Sequence, residues 1–195
     1  LLVYFPGEMP AEFHDFLRGR CAARVARYRA GLAATGLPGV AGPPRTALEG
    51  EQAVTRTHLS QAIVDAGHAR DLPDAFARYT GDRVGLVPPV DLPFLEAIDR
   101  ARAAGGLTSW AHPPPEAAAA LVGTFQAAGL QGLETARPGL GPVARNALLR
   151  LAHRHGLVAT GGSDFHGLPH NRPLGGWSFP AREARAFARA LGIAA

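Results

Sequence analysis

GLTSWAH at residues 106–112, GLQGLET at 129–135 and GLVATGG at 156–162 are short apolar runs, and long segments of helical period separate them. Between the first two lies an alanine-rich segment, Pro115 to Ala128. Between the second and third, Pro142 to His155 places Val143, Leu148 and Leu151 near the 3.6-residue spacing of a helix face. A last helix is expected from Ala181 to Leu191. Strands that alternate with helices in this way predict parallel βα units, closed either as a doubly wound sheet or as a barrel.

Upstream the pattern changes. LLVYF at residues 1–5 has the composition of a buried strand. Glu12 to Ala34 then predicts a long amphipathic helix, with Phe13, Phe16, Leu17, Val25, Tyr28 and Leu32 on one side and arginines on the other. The breaker run TGLPGVAGPPR ends it, two shorter helices are expected near Leu59 to Ala66 and Pro73 to Tyr79, and the proline-rich GLVPPVDLP leads back to the βα part. The predicted organisation is a small helical subdomain at residues 10–88 inserted into a framework made of residues 1–9 and 89–195.

Composition narrows the function classes. Hydrophobic residues make up 47% of the 195 and charged residues 18%, as in a globular chain. All 20 basic residues are arginine, which together with abundant Ala, Gly and Pro points to codon bias, and a formal charge of +4 permits a phosphate-bearing substrate without demanding one. Cys21 is the only cysteine, so an intramolecular disulfide and a cysteine-based zinc site are excluded. No apolar run approaches the roughly 18 residues of a membrane span, and no charged leader precedes an apolar core. A cytoplasmic location is the expectation, with no membrane partner.

In parallel βα architectures ligands gather at the carboxyl ends of the strands. His112 follows GLTSWA, and Asp164 and His166 follow GLVATGGS. Imidazole and carboxylate suit zinc, manganese or iron. An extended Asp-x-His segment would point both side chains to one side, and glycines at 161 and 162 would let backbone crowd the site without a Cβ. A second cluster is TRTHLSQAI at 55–63, where Thr55 can cap a helix beginning near Thr57. Arg56 and His58 there fit a phosphate grip: a helix amino end adds partial positive charge, arginine donates in pairs, and histidine can hand a proton to a leaving oxygen. An ordinary capped helix accounts for the same residues. His14 and His68 are expected on the surface, His153 and His155 at a helix carboxyl end, and His170 near the metal loop.

TRTHLSQAIVDAG, FARYTGD, LEAIDRARAAGGLTSWAHP and GLVATGGSDFHG occur in this order, and the chain resembles the PHP (polymerase and histidinol phosphatase) family, most nearly its bacterial phosphoesterases with a helical insertion. The resemblance implies a distorted (β/α)7 barrel with two or three divalent metal ions (Mn, Fe, Zn or Mg) at the carboxyl ends of its strands. It makes His112, Asp164 and His166 metal ligands, and Arg56 and His58 the insertion's contribution to the substrate phosphate. The implied activity is hydrolysis of phosphate esters by a metal-activated hydroxide. Nucleotides, including bisphosphates, and the 5′ ends of short RNA are the implied substrates; a degenerate member that binds nucleotide or RNA without catalysis is the alternative. The family's upstream ligands, a His-x-His strand followed by Asp, His and Glu, do not occur here, so an N-terminal barrel segment carrying them is expected to be missing from these residues. GLETARPGL also departs from the family, which more often has an aromatic residue and a histidine after the glutamate.

Overall fold

The computed structural model describes residues 1–89, 92–165, 177 and 179–193. The chain divides into two compact units, one made of Leu1–Pro10 and Leu92–Ala195, the other of Ala11–Asp91.

The first unit is mixed α/β. Its strands are β1 (Leu2–Tyr4), β2 (Leu107–Trp110), β3 (Gly132–Ala136) and β4 (Val158–Gly161), and they form one four-stranded sheet in the order β1-β2-β3-β4. β2, β3 and β4 run parallel, joined by α6 (Pro115–Ala127) and α7 (Pro142–Arg154), as the alternating pattern predicts. β1 pairs antiparallel with β2, and Leu2 is 40% exposed, so among the described residues LLVYF forms the outer strand of the sheet and is not fully buried.

Alternation along the strands separates two faces. Trp110 lies opposite Leu133, and Leu133 opposite Ala159. This face packs on α5 (Phe94–Ala103), α6 and α7, with Ile98, Val122, Leu133, Leu148 and Leu151 at the centre of the core and Trp110 against Phe94 and Phe125. The helix α5 escapes the periodicity reading because its LEAIDRARA segment is strongly charged, yet it buries Ile98 and Ala101. The other face carries polar side chains: Ser109 Oγ meets Thr160 Oγ1 at 2.8 Å, and Glu134 lies opposite Thr160. Tyr4 belongs to it as well, stacked edge-on against Phe187 of α8 (Ala181–Ala190). Burial, the Glu134 charge and a hydrogen bond with Thr160 act on the Tyr4 phenol, and the first two prevail, raising its pKa above the ordinary tyrosine value.

The second unit is helical. The long helix α1 (Ala11–Thr35) buries Phe13, Val25 and Tyr28 but leaves Leu17 exposed. Val25 and Tyr28 join Ala47 of α2 (Arg45–Leu48), Leu59 and Ile63 of α3 (Arg56–Asp65) and Ala75 of α4 (Leu72–Ala75) in a core of their own. Gly31 makes this approach possible, because a Cβ there would press on Val87 and Leu59 at 3.0 and 3.2 Å. The helix expected at Pro73 to Tyr79 is divided: after α4 the chain widens into a π-helical turn, Phe76–Thr80, closed by the Gly81 amide on the Phe76 carbonyl. No helix among the described residues is long and apolar enough to cross a membrane.

Val143 was expected on the buried face of α7, yet it is 84% exposed, because the core side of that helix is taken by Leu148, Leu151 and Ala152. Truncating Leu133, which is fully buried in the sheet centre, therefore costs about 2–5 kcal/mol. Val143→Ala should stay within about 0.5 kcal/mol. Urea unfolding of the two variants checks the contrast.

Candidate active site

Parallel pairing sends β2, β3 and β4 out of the sheet at one edge, and each strand delivers a polar residue there. His112 lies two residues past the end of β2, Glu134 is within β3, and Asp164 is three residues past the end of β4. Strands two apart in a sheet are separated by about 10 Å. His112 Nε2 nevertheless lies 3.1 Å from Asp164 Oδ1, so the two side chains lean toward one another over β3.

The backbone explains how. His112 and Asp164 have φ of 51° and 52°, and they are the two non-glycine residues with positive φ among those described. Such conformations are uncommon outside glycine and gather at sites where surrounding structure enforces them. Asp164, at φ 52°, is itself not in the extended conformation expected of it. His166 and His170 lie outside the described residues.

Only one of the two glycines has the steric role assigned to it. A Cβ on Gly161 would stand 2.4 Å from the Ala136 carbonyl oxygen, where a register shift between Glu134 and Ala136 bulges β3 toward β4. Bulges of this kind re-aim side chains beside functional sites. Gly162 has open space around its Cβ position, and its amide donates to that same Ala136 carbonyl at 3.1 Å.

Glu134 completes the cluster, and the sequence reading did not select it. Its Oε2 accepts the His112 backbone N–H at 2.8 Å, and Arg137 Nε lies 3.6 Å from the same oxygen. The usable signal was a carboxylate in the middle of an apolar strand, since a buried charge requires partners. One imidazole and two carboxylates suit a hard or borderline divalent cation. Among the described residues, no group of three or more His, Cys, Asp or Glu is arranged to hold a metal ion by itself.

In the helical unit, α3 begins at Arg56 with Thr55 as its N-cap. His58 Nδ1 accepts the Thr55 backbone N–H at 3.1 Å, and its Nε2 lies 3.2 Å from the Gln52 side-chain nitrogen. Arg56 is paired with Asp82. The π-helical turn delivers that partner: Ser60 of α3 bonds Thr80 at the end of the turn at 2.6 Å, and Asp82 follows two residues later. Arg24 and Arg27 share a small cleft with Arg56 and Thr55, so the amino end of α3 lies in a positive field. Burial, followed by the charges of Arg56 and Arg24, lowers the Arg27 pKa.

No protein-family model matches the chain. The 5'-3' exoribonuclease Rnm of Escherichia coli (strain K12) is 36% identical to it over 132 residues, 62% of this chain and 45% of that protein. The 3',5'-nucleoside bisphosphate phosphatase of Chromobacterium violaceum is 31% identical over 149 residues, 73% of this chain and 52% of that protein. The chain therefore spans about half the length of these curated relatives. A solved Chromobacterium violaceum structure, called an amidohydrolase with bound sulfate and no metal, superposes with a TM-score of 0.69 at 28% identity, covering 89% of this chain and 64% of that one. A Bifidobacterium adolescentis structure called a metal-dependent phosphoesterase gives a TM-score of 0.68 at 27% identity, with coverages of 88% and 64%.

The Arg56 pairing has a pH signature. The Arg56 hydrogen bond, followed by its charge, holds the Asp82 carboxyl below the usual carboxylate range. A depressed pKa means that the pairing contributes above the ordinary carboxylate value and is lost as pH falls through the lowered one. Arg56→Gln should raise the Asp82 titration midpoint toward the ordinary carboxylate range, read from its carboxyl carbon shift by NMR. An unmoved midpoint would show that Arg56 is not the partner in solution.

Proposed function

We propose that this chain, a homologue of the Rnm exoribonucleases and the nucleoside bisphosphate phosphatase and consistent with the PHP family, carries part of the active site of a divalent-metal-dependent phosphoesterase acting on nucleotides or the 5′ ends of short RNA. The observation that carries the reading is the His112–Asp164 pair, 3.1 Å apart across an intervening strand on two left-handed residues. Three parallel strands with βα connections are read as an arc of the distorted (β/α)7 barrel, with residues 10–88 as its helical insertion.

In this reading His112 and Asp164 hold metal together with His166. A bound divalent cation supplies charge neutralisation at the phosphate and a lowered pKa for the attacking water. Two or three such ions, with ligands from outside these residues, fit the family, and manganese, iron, zinc and magnesium all suit the donor set. The protein's own part is positional. His112 and Asp164 converge as a nitrogen and an oxygen donor on one point. Arg56 supplies a guanidinium whose preference for planar oxyanions is already visible in its pairing with Asp82. A phosphate oxygen would take the place of that carboxylate.

His58 suits the role of proton donor through one nitrogen alone. Nδ1 is engaged by the helix cap, so Nε2, which lies 3.2 Å from the Gln52 side-chain nitrogen, is the position through which a proton would pass to the leaving oxygen. The amino end of α3 adds partial positive charge toward the same anion.

Two substitutions in the intact protein test the assignment. With manganese and a nucleoside 3',5'-bisphosphate, Asp164→Asn should lower turnover by roughly 10²–10³, the range seen on losing one preorganised electrostatic group, with the thermal unfolding midpoint preserved. Arg56→Ala should lower kcat/KM about 10–100-fold, the loss of one charge-assisted hydrogen bond, without changing manganese stoichiometry. Wild-type turnover in the Asp164 variant would refute the metal-site reading. Metal loss in the Arg56 variant would refute the division of roles.

A further inference from the structure

Resting on that metal-dependent reading, we propose that Glu134 is a positioning residue: its carboxylate fixes the backbone of His112 and so aims the His112 imidazole at Asp164. His112 is in an unfavourable conformation twice over. It is a non-glycine residue at φ 51°, and it precedes Pro113, whose ring biases the residue before it toward extended backbone. Something outside the local chain must hold it.

Glu134 has the placement to do so. It sits in β3, the strand between β2 and β4, on the polar face of the sheet, and is 6% exposed. Its Oε2 accepts the His112 amide at 2.8 Å, a charge-assisted hydrogen bond on a backbone group that the strand ladder has released. Arg137, three residues onward, lies 3.6 Å from that oxygen, an ion pair beyond hydrogen-bond reach. The His112 ring nitrogen is 3.8 Å from Oε2, beyond hydrogen-bond range, and is 3.1 Å from Asp164. The carboxylate therefore grips the main chain and leaves the imidazole to its neighbour. The arrangement is that of the outer partners that orient metal-binding histidines, here applied to the backbone instead of the ring.

Two substitutions separate reach from charge. Glu134→Gln keeps an oxygen acceptor at full reach and removes the charge. Glu134→Asp keeps the charge and withdraws the carboxylate by about one bond, roughly 1.5 Å. Manganese affinity of the intact protein, titrated by electron paramagnetic resonance, should stay within about threefold of wild type for Gln and weaken about 10–100-fold for Asp, the range for loss of an outer-shell partner. Equal affinity in wild type and both variants would overturn the proposal. So would equal loss in both, or loss in Gln alone, since each would mean that the charge binds the cation directly. A wild-type protein that takes up no manganese would sink the parent reading instead, and metal-free melting temperatures report whether either variant has lost its fold.

Discussion

Parallel pairing of β2, β3 and β4 is the constraint on which the rest of the α/β unit depends. Parallel strands cannot be joined by tight hairpins, so each connection must cross back over the sheet, and here helices α6 and α7 do so. The crossings cover one face with an apolar layer and bring three strand ends to a common edge. The opposite face is then left to Ser109 and Thr160, which bond each other, and to Glu134, which is partnered by the His112 amide, since such groups would be costly to bury unpaired.

At that edge the site is made by backbone as much as by side chains. The bulge in β3, the close approach at Gly161 and the positive φ of His112 and Asp164 together bring two side chains across the width of a strand. Each device is unfavourable taken alone. They are compatible because the buried Glu134 carboxylate needs a donor and the His112 amide, turned out of the ladder, needs an acceptor.

The helical unit solves a different problem with a similar economy. Its core is built from small residues and a few large ones on α1 and α3, and its described residues contain no sheet to organise it. Order at the amino end of α3 comes from the reciprocal Thr55–His58 cap and from the Ser60–Thr80 hydroxyl pair, which ties the π-helical turn to the helix. As a result Arg56 is presented with a defined anionic partner.

The sequence by itself determined the βα alternation, the helical segment between its parts and the candidates His112, Asp164, Arg56 and His58. Apolar period, breaker residues and ionisable side chains at strand ends are local properties that can be read without a partner. It did not determine that Asp164 leaves the extended conformation, that Val143 faces solvent, that β1 runs antiparallel, or that Glu134 and Asp82 are the partners of His112 and Arg56. Those depend on contacts far apart in the chain, 22 residues for His112 with Glu134, 26 for Arg56 with Asp82, 52 for His112 with Asp164 and 103 to 107 for β1 with β2. Only the folded chain closes such distances, and a hydrogen bond formed across the sheet can hold a backbone angle that no local preference would choose.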